Sequence, residues 1–519
     1  MNKLLIPIIT ILILAAGIGG YFVFQKFVFP TLQPANTEKI NKETTVGKLL
    51  PDLPQQLLSS EFIYSIWLGR GLYTNEELDR GFRAVRNLGI KYFMVEFKWS
   101  YIEPKNNQWQ WNNEETLDVE RVVKLAKQYN LSIIPYFDIF MPWGEVKYPD
   151  PKKGECEGMG SGRGQHQAPA PEEYAEYVFT VVDKLKKGGV DVKYIELDNE
   201  DSNQNDGYQG WSCFLNATAK QIKEAENAAY DKVKSTYPKI MISSTTFGFP
   251  GLSCIPKDAP IKQKGPDCEI DKERRNSFVK AYFEDEPKPK FDFLGVHEVF
   301  GGSGSPYTTW EKSANTTYEY NFGSYNDAYD MWREILDKYG YTNTPIFNLE
   351  SGAIRKGMQD AELIQRAVFA RSNSDKNKVM GWVLSQLTGS KAFTEAQNKQ
   401  TSFATIGITR LREGYYGYYS LMNILANYPN YDEKIMGELN SQKPWVEKFS
   451  NDKGNLLYVA FIPLSPAKQS GPQVINLEVG ANKEVKITKS DTPTSTMKSD
   501  SNGYITLEIN AHPVFIEAQ

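Results

Sequence analysis

From residue 60 onward, short apolar runs alternate with amphipathic segments, and this alternation limits the chain to repeated βα units around a parallel sheet. "FIYSIWLG" (Phe62 to Gly69) reads as a first strand. After it, Thr74-Asn75-Glu76-Glu77 fits a capping box, and Leu78, Phe82, Val85 and Leu88 recur at helical spacing. "KYFMVEF" is the second strand, Val119 to Ala126 belong to the second helix, and "LSIIPYFD" is the third strand. Pro171 and Gly188-Gly189 bracket the third helix, since Pro suits a helix start and Gly its end. "VKYIELDN", "KIMISST", "FDFLGVH", "TPIFNLE" and "VMGWVLSQ" continue the count as strands four to eight. Eight such units predict an α/β fold, the (β/α)8 TIM barrel, whose functional residues gather at the C-terminal ends of the strands.

After Tyr415 a last helix gives way, near Gly437, to the alternating runs "LLYVAFIP", "QVINLEV", "EVKIT" and "YITLEI", with Asn502-Gly503 as a hairpin turn. This predicts a C-terminal all-β sandwich. At the other end, Leu4 to Phe24 is uncharged between Lys3 and Lys26. At about 1.5 Å per residue it is long enough for a hydrocarbon core of roughly 30 Å. It reads as an N-terminal transmembrane helix: a signal anchor is favoured over a cleaved signal peptide, because the apolar run resumes after the small residues of "AAGIGG". Either reading puts the body outside the cytoplasm. The expected layout is an anchor or signal peptide over 1–26, a Pro-rich linker over 27–55, the barrel over 56–436 and the sandwich over 437–519.

Several function classes fall away on composition. The balance of 59 Lys and Arg against 64 Asp and Glu, without a basic stripe, argues against nucleic acid as a partner. "GMGSGRG" and "GGSGSP" lack the GxxxxGK[ST] pattern of a phosphate cradle. Cys156, Cys213, Cys254 and Cys268 contain no CxxC pair and the chain has 3 His, so two disulfides suit an exported chain better than a zinc site, with connectivity open. No metal or cofactor is expected.

Two strand ends carry the chemistry. In strand four, Ile195 and Leu197 alternate with Glu196, Asp198 and Glu200; if the apolar set faces the helices, the carboxylates face the barrel interior. In strand seven, Pro345, Phe347 and Leu349 alternate with Ile346, Asn348 and Glu350, which by the same rule turns Glu350 inward. Glu200 and Glu350 then converge on one mouth. Two carboxylates flanking a cleft are the minimal equipment for glycoside hydrolysis. Glu96, Asp138 and Glu196 also face inward by parity, but buried ion pairs explain them at least as well as a site role, and none is assigned to them.

These positions resemble the clan A glycoside hydrolases, which carry an Asn-Glu acid/base at the end of strand four and a Glu nucleophile at the end of strand seven. "WSYIEPKNNQWQW" (Trp99 to Trp111) is similar to the clan's W-x-x-IEP-x-x-G-x-Y-x-W signature, and "FDFLGVHEVFG" to its strand six. That strand and the tail "GYITLEINAHPVFIE" look nearest to glycoside hydrolase family 39. The resemblance implies Glu200 as acid/base, Glu350 as nucleophile, Asn199 as a partner of the sugar 2-hydroxyl, and retention of anomeric configuration. His297 stands where relatives have His. Two departures matter: Asp201 replaces the Pro of Asn-Glu-Pro, and Glu298, Val299 and Phe300 occupy the slots of an expected Tyr. An inactive surface carbohydrate-binding protein on the same scaffold is the alternative.

Trp143 and Trp211 follow strands three and four and Trp382 lies on strand eight, so these three are candidate sugar-stacking platforms beside His297. The expected partners are a carbohydrate and, through the N-terminal helix, a membrane.

Overall fold

The computed structural model describes residues 54, 62–68, 75–113, 117–139, 143, 168–197, 207–208, 211–212, 217–248, 278–298, 326–352, 358–385, 413–438, 442–464, 470–489 and 492–518. The apolar run Leu4 to Phe24, the linker apart from Pro54, and all four cysteines lie outside them. Among the described residues no helix is long and apolar enough to cross a membrane.

The eight barrel strands are β1 (Ile63–Trp67), β2 (Tyr92–Phe97), β3 (Ser132–Phe137), β4 (Tyr194–Leu197), β5 (Met241–Ile242, resumed at Phe247–Gly248), β6 (Leu294–Glu298), β7 (Ile346–Gly352) and β8 (Val379–Ser385). All pair in parallel. The first piece of β5 pairs with β4 and the second with β6, which closes the circuit.

Hydroxyl side chains take over where β5 breaks. Leu197 N donates to Ser243 Oγ at 2.9 Å and Gly295 N to Ser244 Oγ at 3.1 Å, so the neighbours' amides stay satisfied without a regular ladder.

Among the described residues, helices of ten residues or more against the sheet are α1 (Asn75–Asn87), α2 (Val119–Gln128), α3 (Pro171–Lys187), α4 (Ala219–Thr236), α5 (Asn326–Lys338), α6 (Gln359–Ser372) and α7 (Glu413–Asn423). Their starts follow local chemistry. Asp118 caps α2 by accepting from Arg121 N, Pro171 opens α3, and Thr218 with Gln221 forms a complete capping box on α4.

The apolar side chains form two layers. Tyr64, Ile66, Phe93, Val95, Ile195, Leu197, Val296, Ile346 and Trp382 pack outward against the helices. Ile63, Trp67, Met94, Ile134, Tyr136, Phe293, Phe347, Leu349 and Val383 fill the barrel interior. The interior is a packed core, so chemistry is confined to its rim.

The tail forms a six-stranded antiparallel sheet facing a two-stranded one. In chain order the strands are β9 (Asn430–Met436), β10 (Trp445–Ser450), β11 (Leu456–Phe461), β12 (Gln473–Glu478), β13 (Glu484–Lys489), β14 (Thr492–Lys498), β15 (Tyr504–Ile509) and β16 (Val514–Ala518). The antiparallel sheet thus begins at Asn430, ahead of the boundary expected at 437. Asn502-Gly503 is not a hairpin turn: β14 pairs with β13 and β15 with β12, so it carries the chain from one sheet to the other. Asp500 Oδ1 accepts from the amides of Asn502 and Tyr504, and Gly503 takes φ +93 to complete that turn.

Gln365 on α6 bridges the barrel and the sandwich. Its Nε2 donates to Ala511 O at 2.9 Å and to Ile462 O at 3.3 Å, and its Oε1 accepts from Leu464 N at 3.2 Å.

Candidate active site

Glu350 reaches the rim through an irregularity in β7. Against β6, Val296 pairs with Asn348 and His297 with Glu350, which skips Leu349. Against β8, Asn348 pairs with Trp382 and Ser351 with Leu384, so Leu349 and Glu350 oppose the single residue Val383. Both neighbours record one extra residue in β7, a β-bulge.

The bulge corrects the parity argument. Ile346 packs with the outer layer, and Asn348 Nδ2 donates to Tyr329 Oη of α5 at 2.9 Å, while Phe347 and Leu349 fill the interior. By strict alternation Glu350 would follow Ile346 and Asn348 out to the helices. The extra residue instead places Leu349 and Glu350 both on the barrel side.

There the Glu350 carboxylate is gripped from both sides. Ser385 Oγ, at the end of β8, donates to Oε1 at 2.9 Å. His297 Nδ1, on β6, stands 3.3 Å from Oε2. The far nitrogen of that ring, Nε2, lies 2.7 Å from Glu196 Oε1 on β4, and Thr246 Oγ1, between the two pieces of β5, donates to the same oxygen at 3.0 Å. The side chains of Glu196 and His297 are fully buried, and that of Glu350 is 12% exposed, so the chain of contacts runs from the core to the opening.

The expected site residues are therefore placed unequally. Glu350 and His297 come together. Asn199 and Glu200 follow Leu197 and lie outside the described residues. Trp211 lies in a two-residue strand, Trp211–Ser212, of a small antiparallel sheet after β4, with its backbone alone described.

Trp382 is no sugar platform: it is fully buried on the outer face of β8 and stacks on Tyr418 of α7 with ring centroids 5.9 Å apart. The strand period explains this, since Val383 on the same strand faces inward.

Trp143 is half-buried. It meets Trp99 edge-on with centroids 5.4 Å apart, and its Nε1 donates to Glu103 O at 3.1 Å.

The "WSYIEP" stretch forms a structural block under Trp143. Trp99 stacks on Tyr177 at 4.7 Å, its Nε1 donates to Glu103 Oε2 at 2.9 Å, and Asn107 N donates to Glu103 Oε1 at 2.7 Å. Burial raises the Glu103 carboxyl above its ordinary range, against the lowering effect of the Trp99 and Asn107 donors. Asp138 accepts from Trp99 N at 2.9 Å, capping the turn of helix that begins there. These acids are structural, whereas Glu196, read from sequence as one of the same group, is wired to His297.

Thr246 and Ser385 were missed. Ser385 is the last residue of strand eight, where a polar residue after "VMGWVL" was the available signal. Thr246 lies just past the strand read from "KIMISST", and the break in β5 leaves no period that would point to it.

No protein-family model matches the chain, and no curated protein matches it. Solved structures do. A family 39 glycoside hydrolase from Bacteroides cellulosilyticus WH2 is similar over 90% of this chain and 83% of its own, at 12% identity and a TM-score of 0.59. An endo-β1,6-glucanase is similar over 91% and 93%, at 11% identity and 0.52. A glucosidase from Croceicoccus marinus is similar over 92% and 98%, at 11% identity and 0.50. The likeness establishes the fold, a barrel with an appended β domain, in agreement with the family resemblance read from the sequence.

Proposed function

We propose that the chain is a retaining glycoside hydrolase acting on an oligo- or polysaccharide, with Glu350 as nucleophile and Glu200 as acid/base. The observation that carries this reading is the bulge that turns the Glu350 carboxylate onto the barrel rim, where Ser385 and His297 hold it in a nearly buried setting. A carboxylate so placed attacks the anomeric carbon in a fixed orientation.

In the first step a Glu350 oxygen bonds to the anomeric carbon and the glycosidic bond breaks, the departing oxygen taking a proton from Glu200. In the second, water gives a proton to Glu200 and its oxygen to the anomeric carbon, releasing the sugar and restoring the Glu350 carboxylate. Asn199 is assigned to the sugar 2-hydroxyl, and Trp143 and Trp211 to flanking contacts.

The test is hydrolysis of a panel of aryl glycosides and polysaccharides by the purified full-length chain beside Glu350→Gln. Turnover that disappears in the variant, with a covalent glycosyl adduct in the intact mass of the wild type, supports the proposal. A wild type that cleaves nothing but retains a polysaccharide in a pull-down would make this an inactive carbohydrate-binding scaffold, the reading that the absent strand-six Tyr favours.

We also propose that Leu4 to Phe24 anchors the chain in a membrane with the barrel on the extracytoplasmic side, because that uncharged run matches a bilayer core in length. Recovery of the full-length chain in the soluble fraction of lysed cells would overturn it.

A further inference from the structure

Glu196, His297 and Glu350 form a line of ionisable groups through the barrel mouth, with only the last bordering the opening. Each imidazole nitrogen faces a carboxylate oxygen, Nε2 at 2.7 Å from Glu196 and Nδ1 at 3.3 Å from Glu350. An ionised carboxylate has no proton to give, so the ring donates at Nε2, and 2.7 Å is the length of a charge-assisted bond. A neutral ring would then hold its Nδ1 lone pair 3.3 Å from Glu350 Oε2, two electron-rich atoms within ion-pair distance. A second proton on Nδ1 removes that conflict.

An isolated imidazolium with no exposure would be costly, but Glu196 supplies the opposite charge from within the same buried layer. Among the described residues, the titratable groups facing the ring are Glu196 from β4 and Glu350 from β7, and β5 adds the Thr246 hydroxyl that fixes Glu196.

We propose that Glu196 is a positioning residue for the nucleophile: it keeps His297 as an imidazolium whose Nδ1 lies 3.3 Å from Glu350 Oε2, an ion pair that holds that carboxylate ionised and oriented. The charge state rests on an ionised Glu196 beside the ring and on the second carboxylate at Nδ1. The catalytic consequence rests on the glycosidase reading above.

The full-length chain has 3 His, so ¹⁵N-histidine labelling gives a readable spectrum. Signals assigned to His297 by their loss in His297→Asn are expected at imidazolium positions at pH 8, far above the ordinary pKa of about 6.5, and at neutral positions in Glu196→Gln. A His297 that titrates near 6.5 in the wild type overturns the proposal, and the His297→Asn spectrum serves only to assign the signal.

On the aryl glycoside cleaved best, Glu196→Gln should lower kcat about 10²-fold and move the acid limb of kcat/KM to higher pH, because Glu350 loses its cation. Glu196→Asp, which keeps the charge, should recover part of the rate. An unchanged acid limb beside the expected NMR result would remove the catalytic role. A wild type with no turnover would remove the glycosidase reading and leave the triad's charge state decided by NMR.

Discussion

Glu350 lies opposite His297 in the β6–β7 ladder, with its Oε2 3.3 Å from the imidazole Nδ1, because Leu349 is skipped by both neighbouring strands. With Leu349 in place, the bulge thus decides whether the carboxylate meets the rim or the helices. Deleting Leu349 should restore regular pairing of Asn348-Glu350 with Val296-His297 and, because Glu350 would then directly follow the outward Asn348, keep the carboxylate on the barrel side at the cost of the interior packing of Leu349. The expected result is a lower thermal midpoint in a chain that still forms the covalent glycosyl adduct; loss of the adduct in a chain with an unchanged circular dichroism spectrum would show that the bulge itself, beyond the inward facing, orients the nucleophile.

Ser385 supplies the other grip on Glu350, donating to Oε1 at 2.9 Å. A hydrogen bond to a charged group contributes about 1.5–3 kcal/mol. If that bond strengthens the reactive geometry, Ser385→Ala should lower kcat/KM by roughly 10- to 100-fold while the thermal midpoint stays near that of the wild type. Steady-state kinetics beside a melting curve checks it, and equal kcat/KM in both proteins would remove Ser385 from the site.

Glu447 makes the sandwich sensitive to pH. It is 2% exposed at the sandwich–barrel boundary, where Trp445 Nε1 donates to Oε1 at 2.8 Å and Tyr431 Oη to Oε2 at 2.9 Å. Burial, outweighing those donors and nearby Lys434, pushes its pKa from 4.5 to about 7. The folded state therefore holds a proton that the unfolded chain releases above its ordinary pKa. Stability from this group is fully present below about pH 4.5 and is lost as pH rises through about 7. The loss is on the order of 3 kcal/mol. Glu447→Gln should flatten the fall in denaturation midpoint between pH 5 and 8, and a parallel fall in both proteins would contradict this assignment.

Gly381 marks a tight crossing of β8 over the barrel interior. A Cβ there would stand 2.6 Å from Phe347 Cε2 and 2.8 Å from both Ile63 Cβ and Ile63 O. The backbone oxygen cannot step aside as a flexible side chain would, so Gly381→Ala should destabilise by about 1–3 kcal/mol. Urea denaturation measures it, and a midpoint equal to the wild type would mean that β1 and β7 yield freely.

Gln365 should act as a latch between barrel and sandwich. Gln365→Leu removes three buried hydrogen bonds to Ile462, Leu464 and Ala511 and leaves their backbone groups without that partner. The cost should reach about 3 kcal/mol. Hydrogen exchange should rise first around 462–464 and 510–512; exchange that increases evenly over the chain would argue against a local latch.

The order of barrel strands was legible because each is a short apolar run between cappable helices, and residue type and spacing are local properties. Thus Pro171 and Gly188 mark helix ends, and Glu196 and His297 face inward on regular strands, where a period of two holds. Trp382 shows the cost of ignoring that period: it shares a strand with the inward Val383 and points the other way. What the tertiary structure alone decided is the facing of Glu350 and the break in β5. Parity counting assumes an unbroken register, whereas register is set by pairing with strands distant in sequence, and between Asn348 and Ser351 β7 carries one more residue than its neighbours oppose to it. The residues of the nucleophile's setting were therefore written in the sequence, but the contacts joining Glu196, Thr246, His297, Glu350 and Ser385 exist only because five separate strand ends close on one rim.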